Sequence, residues 1–234
     1  ADLVGKSDIV LSVLANDAAT DRVYFAPDGL LAGDIRGKLI VVKYGGSAMG
    51  PDGGVDVVLR DIVFMASVGM LPVVVHGGGA AISERLTARG IPTRKVNGLR
   101  VTDAATMQVV EEVLYGEVNS AIVAGLNSIG AQAAGISAKE AGVMHVRRHQ
   151  ARTADGPVDI GFVGDVERID AVPILELTGR AVIPVVAPIG LGPGGDSYNV
   201  NADTAAGEIA AALHAEKLVF LTDVKGILVD PRDP

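Results

Sequence analysis

Cysteine is absent from all 234 residues, which excludes disulfides and thiolate metal sites. Aromatics are scarce at 3%, whereas hydrophobic residues reach 49% and glycine numbers 30. A core of that kind is built from Ala, Val, Ile and Leu, as in an α/β protein rather than a membrane or disordered one. No apolar run approaches the roughly 20 residues that span a bilayer. Residues 9–15 are apolar but short, follow Asp8 and lack a basic leader, so they do not read as a signal peptide. A cytoplasmic location is therefore expected. Excess positive charge is also missing: the net charge is −8, without the basic stripe that nucleic-acid binding needs. An anionic substrate then requires a few cations placed locally. No Walker A pattern occurs, which sets aside the P-loop NTPases.

What is present is a repeated junction between apolar strand and glycine. Residues 39–44 are an apolar run ending in Lys43 and Tyr44, followed at once by Gly45 and Gly46. Such a run needs no polar alternation if both faces are covered, as in a central parallel strand. Lys43 then lies at the strand's C-terminal end, where open α/β sheets bind ligands. Residues 72–76 repeat the design and lead into Gly77, Gly78 and Gly79. Glycines let backbone N–H groups approach an anion closely, so two such junctions facing one crevice suggest a phosphate site.

Along the chain, strands near 39–44 and 72–76 alternate with helices near 55–68 and 79–89. In the first helix Val55, Val58, Leu59, Ile62 and Met65 share a face. This alternation implies right-handed crossovers and a parallel sheet. Thr102 or Asp103 caps a long helical stretch whose stripe runs Met107, Val110, Leu114, Val118, Ala121 and Ile122. That stripe serves a partner subunit or a wholly internal core; periodicity leaves both open. Residues 130–170 read as hairpins, 182–189 as a buried strand, 202–214 as a helix and 218–222 as a further strand. Residues 1–36 read as an N-terminal arm outside the sheet, with Ser7 capping a helix through Ala15 and a turn at Pro27-Asp28-Gly29.

Several motifs have bland readings. Gly190, Gly192 and Gly195 form a G-x-G-x-x-G, but Pro193 interrupts it and no helix follows at once, so a flexible loop is expected. His145 and His149 flank Arg147 and Arg148, which favours a solvated basic edge over a zinc pair. Arg100 either decorates a turn or clamps a carboxylate; Asn201 or Asp203 either caps a helix or serves a site.

The succession KYGGSAM (43–49), VVVHGGG (73–79), VNGLRVTD (96–103), GFVGDV (161–166), YNVNADTAAG (198–207) and LTDVKGIL (221–228) resembles the amino-acid kinase family, from about residue 37 to 230. Within that family, VNGLRVTD together with YNVNADTAAG resembles the branch acting on N-acetyl-L-glutamate in arginine biosynthesis, whereas other branches share only the strand–glycine design. The resemblance implies an αβα sandwich on a largely parallel open sheet, and ATP-dependent phosphorylation of the γ-carboxylate of N-acetyl-L-glutamate. Mg-ATP would be co-substrate, with no other cofactor and no resident metal. By the same resemblance Lys43 meets the transferring phosphoryl group, and Gly45 and Gly46 cradle phosphate. Gly77, Gly78 and Gly79 offer N–H groups to phosphate and acceptor, and Arg100 and Asn199 hold carboxylates. Asp203 orients the catalytic lysines, while Thr222 and Asp223 border the nucleotide. A homodimer or higher homo-oligomer is expected. Residues 37–234 would be the kinase domain: 37–214 for acetylglutamate and dimerisation, 215–234 opening the nucleotide part. Family members continue beyond this point to a strand bearing a second lysine, so the 218–222 strand is expected to lack a sheet neighbour. Alternatives are a sister kinase for another acidic substrate, such as an aminoadipate derivative, and a non-catalytic ligand-binding relative.

Overall fold

A computed structural model describes residues 10–14, 36–45, 57–154 and 156–221. Six strands form one parallel sheet in the order β1 (Val10–Leu14), β12 (Lys217–Leu221), β2 (Leu39–Tyr44), β3 (Leu71–His76), β9 (Ile183–Ala187) and β6 (Ala133–Ser137). Successive side chains on a strand point to opposite faces, and both faces here are apolar. Val41, Val73, Val75 and Val186 meet Ala205, Ala206, Ile209 and Ala210 of α6 (Ala202–Ala212) and Ile174 of α5 (Val172–Thr178). Ile40, Val42, Val74 and Val185 meet Leu59 and Ile62 of α1 (Val57–Ser67) and Ile122 and Leu126 of α4 (Ser120–Ser128). The result is a helix–sheet–helix sandwich. Among the described residues no helix is long and apolar enough to cross a membrane.

Beside the sheet, β7 (Met144–Thr153) and β8 (Gly156–Ile169) make a long antiparallel hairpin. It closes with the shorter hairpin of β10 (Ile189–Leu191) and β11 (Ser197–Asn199). A two-stranded ribbon, β4 (Lys95–Val96) and β5 (Leu99–Arg100), follows α2 (Gly79–Ala88).

Several expectations change. Where a helix was expected from Ser7 through Ala15, the described residues Val10–Leu14 are a strand paired in parallel with β12; the rest of that segment, with the turn at residues 27–29, lies outside the described residues. Sheet hydrogen bonding overrides the local helix reading there, and the strand belongs to the main sheet. For the same reason β12 has neighbours on both sides, β1 and β2, instead of missing one. The apolar run 182–189 breaks at Pro188, whose ring nitrogen cannot donate to a ladder. The Gly190–Gly195 segment is the turn of a hairpin, closed by Gly192 N–H to Asp196 O at 2.9 Å and Gly195 N–H to Gly192 O at 3.0 Å, with a strand and no helix directly after it. Of the 130–170 hairpins, β6 joins the parallel sheet. On β7, Arg148 pairs with Asp159 at 2.9 Å and His149 with Asp165 at 2.6 Å, so acidic partners on β8 balance the basic edge.

Asp103 is the cap of the long helix, its carboxylate accepting from Thr106 N–H at 2.8 Å, which holds that carboxyl below its usual range. The helix runs from α3 (Ala104–Glu111) through a π-helical stretch, Glu112–Asn119, into α4. Met107, Val110 and Leu114 are buried with Ile82, Leu86 and Ile189, and Ile122 lies in the sheet's core. The stripe is thus internal to this chain, with Ala121 its exposed member.

Candidate active site

All six parallel strands end on one side, so the C-termini of neighbouring β2 and β3 open onto the same cleft. The cleft holds about 240 Å³ and is lined by Lys43, Gly77, Gly78, Gly79, Lys95, Arg100, Asn199, Asn201 and Asp203. Gly46, Thr222 and Asp223 lie outside the described residues.

Lys43 Nζ meets Asp203 Oδ1 at 3.0 Å. The lysine side chain is 16% exposed and the aspartate 55%, so the pair stabilises the fold by under about 1 kcal/mol. Its consequence is geometric: the ammonium is held at the strand end, aimed across the cleft. Asp203 stands in the first turn of α6, and Asn201 is that helix's cap, accepting from Asp203 N–H at 2.9 Å and Thr204 N–H at 3.0 Å. The cap and the site residue are therefore separate, two positions apart.

The two glycine junctions touch. A Cβ at Gly45 would lie 2.9 Å from Gly77 N, so only glycine lets the two loops pass backbone to backbone. Gly77 N–H donates to Tyr44 O at 2.8 Å and is unavailable to a phosphate, contrary to expectation. The first intrahelical bond of α2 is Ile82 N–H to Gly78 O. Helix geometry therefore leaves the N–H groups of Gly78 and Gly79 without an acceptor inside the helix. The N-termini of α2 and α6 both face the cleft, and their partial positive charges add to Lys43, Lys95 and Arg100. Against these stands Asp203 alone among the lining residues. The cleft is built for anions.

Arg100 is 7% exposed. Its guanidinium donates to Thr93 Oγ1 at 2.6 Å, Ser83 Oγ at 2.7 Å and Gly79 O at 3.0 Å. These neutral acceptors fix the fork against the first turn of α2. Burial lowers its pKa, and no carboxylate partner occurs among the described residues. Asn199 Nδ2 approaches Thr102 Oγ1 at 3.4 Å, while that hydroxyl donates to Arg100 O at 2.8 Å. Thr102, wholly buried, thus ties the two expected carboxylate binders together. Its own backbone is fixed by Thr102 N–H to Ile160 O at 2.9 Å and Phe162 N–H to Thr102 O at 2.6 Å. Ser83 and Lys95 were not singled out from sequence, and Thr102 only as a candidate helix cap; the i, i+4 spacing of Gly79 and Ser83 on α2 was the available signal for Ser83.

Comparisons with known proteins bear on the family. The model of the amino acid kinase family matches residues 38–234. The chain is 49% identical over 203 residues to the acetylglutamate kinase of Symbiobacterium thermophilum, covering 86% of this chain and 69% of that relative. For the acetylglutamate kinase of Heliobacterium modesticaldum the figures are 50% over 203 residues, 85% and 69%. Among solved structures, smu.665 of Streptococcus mutans matches with a TM-score of 0.71 at 33% identity, over 81% of this chain and 74% of that one. The N-acetylglutamate synthase of Neisseria gonorrhoeae, complexed with coenzyme A and N-acetyl-glutamate, shares the fold with a TM-score of 0.70 at 24% identity, over 82% of this chain and 43% of that one. A parallel sheet whose strands end in paired glycine loops around a lysine–aspartate pair, matched along 38–234, makes this chain a member of the amino acid kinase family.

Proposed function

We propose that this protein transfers the γ-phosphoryl group of ATP to the γ-carboxylate of N-acetyl-L-glutamate, giving an acyl phosphate and ADP, as a step of arginine biosynthesis. The carrying observation is the buried Arg100, a cation with only neutral partners among the described residues, in a cleft that also holds the Lys43–Asp203 pair. A desolvated guanidinium with no protein anion favours an anionic ligand, and its fork suits a carboxylate.

Phosphoryl transfer to a carboxylate needs no general base, because the nucleophile is already an anion. It needs two anions aligned and their repulsion cancelled. Lys43, held by Asp203, supplies charge at the transferring phosphoryl, and the N–H groups of Gly78 and Gly79 supply donors. Arg100 and Asn199, joined through Thr102, hold the acceptor's carboxylates. Mg²⁺ enters with ATP, its ligands mainly phosphate oxygens and water. Self-association, expected from the resemblance, would have to use surface other than the buried stripe of the long helix; light scattering reads it directly.

Hydroxylamine trapping of the acyl phosphate tests the reaction. Hydroxamate should form with N-acetyl-L-glutamate and Mg-ATP, and far less with glutamate, aspartate or an acetylated aminoadipate. Equal product from all four would refute the substrate assignment, and none from any would refute the kinase reading.

A further inference from the structure

His76 ends β3 beneath the glycine loop and has no part in the transfer just described. Its side chain is fully buried. Nδ1 lies 2.9 Å from Gly77 O, and Nε2 lies 3.1 Å from Asn119 Nδ2. A carbonyl only accepts, so Nδ1 carries the proton and donates to Gly77 O. Nε2 then accepts from the Asn119 amide, whose nitrogen also donates to Val185 O at 2.8 Å. The ring is held in one tautomer and one orientation between the core and the loop.

The Gly77–Gly78 peptide is trans, so its C=O and N–H point in opposite directions. Holding the carbonyl toward His76 turns the Gly78 N–H away from it, on the side where Gly77–Gly79 line the cleft. The preceding peptide is pinned as well, by Gly77 N–H to Tyr44 O at 2.8 Å. From below, the π-helical stretch supports both residues: Asn119 bonds His76, and Leu114 Cδ2 would lie 2.5 Å from a Cβ on Gly78. In an α-helix, residues five apart are rotated by about 140°. The i→i+5 winding brings Leu114 and Asn119 toward one side, which is how one helix can reach both places.

We infer that His76 is a positioning residue: with Asn119 behind it, its neutral imidazole fixes the Gly77–Gly78 peptide so that the Gly78 N–H is aimed at the phosphoryl group before substrates bind. This rests on the proposed phosphoryl transfer. The reach of the side chain provides the test. The amide nitrogen of asparagine takes the place of Nδ1 and keeps the donor to Gly77 O, whereas glutamine reaches toward the Nε2 side and loses it. His76→Gln should lower kcat by about tenfold or more, as misaimed transition-state donors do, with the KM for N-acetyl-L-glutamate little changed. His76→Asn should recover most of that loss although both variants have equal melting temperatures. A Gln variant with wild-type kcat, or an Asn variant that falls as far as Gln, overturns the inference. Should a variant fail to fold, 15N–1H NMR of the wild-type imidazole decides instead: a proton on Nδ1 at neutral pH is expected, and one on Nε2 overturns it. The NMR reading needs no turnover, so a wild type inactive on N-acetyl-L-glutamate refutes the proposed function separately.

Discussion

Acid should weaken this fold through His76 in a window that can be worked out. Burial lowers the imidazole pKa from its ordinary 6.5 to about 4, partly offset by the bond to Gly77 O. The folded state therefore resists a proton that the unfolded chain accepts. Above pH 6.5 both states are neutral and no penalty exists; as pH falls toward 4 the unfolded chain binds the proton first and stability drops. At about 1.36 kcal/mol for each tenfold change, the full loss is on the order of 3 kcal/mol below pH 4, and about 2 kcal/mol is already gone at pH 5. Against a typical stability of about 5–15 kcal/mol, that is a large share. Urea unfolding followed by circular dichroism at pH 8, 7, 6 and 5 measures it, with His76→Asn as reference because asparagine does not titrate. Carboxylates such as Asp103 titrate in both proteins and cancel in the difference. The wild type should lose about 2 kcal/mol more than the variant between pH 7 and pH 5. Parallel stability curves would refute the claim that a buried neutral imidazole is what the fold protects.

Lys43→Ala should reduce kcat about 10²-fold or more while leaving acetylglutamate affinity nearly intact, read by initial rates and calorimetric titration; comparable turnover would remove the lysine from the site. Arg100→Lys keeps the charge but not the fork to Thr93, Ser83 and Gly79. Its KM for N-acetyl-L-glutamate should rise by the equivalent of roughly 1–3 kcal/mol, and an effect on ATP alone would move Arg100 to the nucleotide. Gly45→Ala forces a methyl against the Gly77 backbone, whereas a Cβ at Gly79 meets nothing within 4 Å. The first should destabilise by about 1–3 kcal/mol and the second should barely shift the melting temperature; equal shifts would contradict the close contact of the loops. Leu126 is fully buried in the sheet–helix core. Leu126→Ala should cost about 2–5 kcal/mol in denaturant unfolding, and a loss below that range would mean the site collapses around the cavity.

Local chemistry explains which parts of the molecule were legible. Lys43, Gly77–Gly79, Arg100, Asn199 and Asp203 stand at ends of regular elements, where an apolar run stops and a glycine or polar residue starts. For Lys43 and the glycines that punctuation is readable from the residues themselves, while the site roles of Arg100, Asn199 and Asp203 came from the family resemblance. Misreadings fell where the deciding partner is distant in sequence. Val10–Leu14 becomes a strand because β12, some two hundred positions on, offers it a ladder. The Gly77 N–H is taken by Tyr44 O only because β2 and β3 lie side by side in that register.

The order of strand, glycine and helix is a property of the chain itself, set by hydrophobic pattern and backbone freedom; it determined the parallel strands and the glycine junctions beside Lys43 and His76, while the succession of motifs carried the family resemblance and the sandwich and site residues it implies. Which groups within that ring are free to act was decided only by packing. Periodicity ran straight through residues 112–119, yet the helix there is π-wound and sets Asn119 against His76. Nothing in a string of residues says that Thr102 will bridge Arg100 and Asn199, or that Arg100 will be buried with neutral acceptors as partners. A hydrogen bond is satisfied by whichever group is brought within about 3 Å in the right direction, and for residues far apart in the chain only the assembled core brings them there.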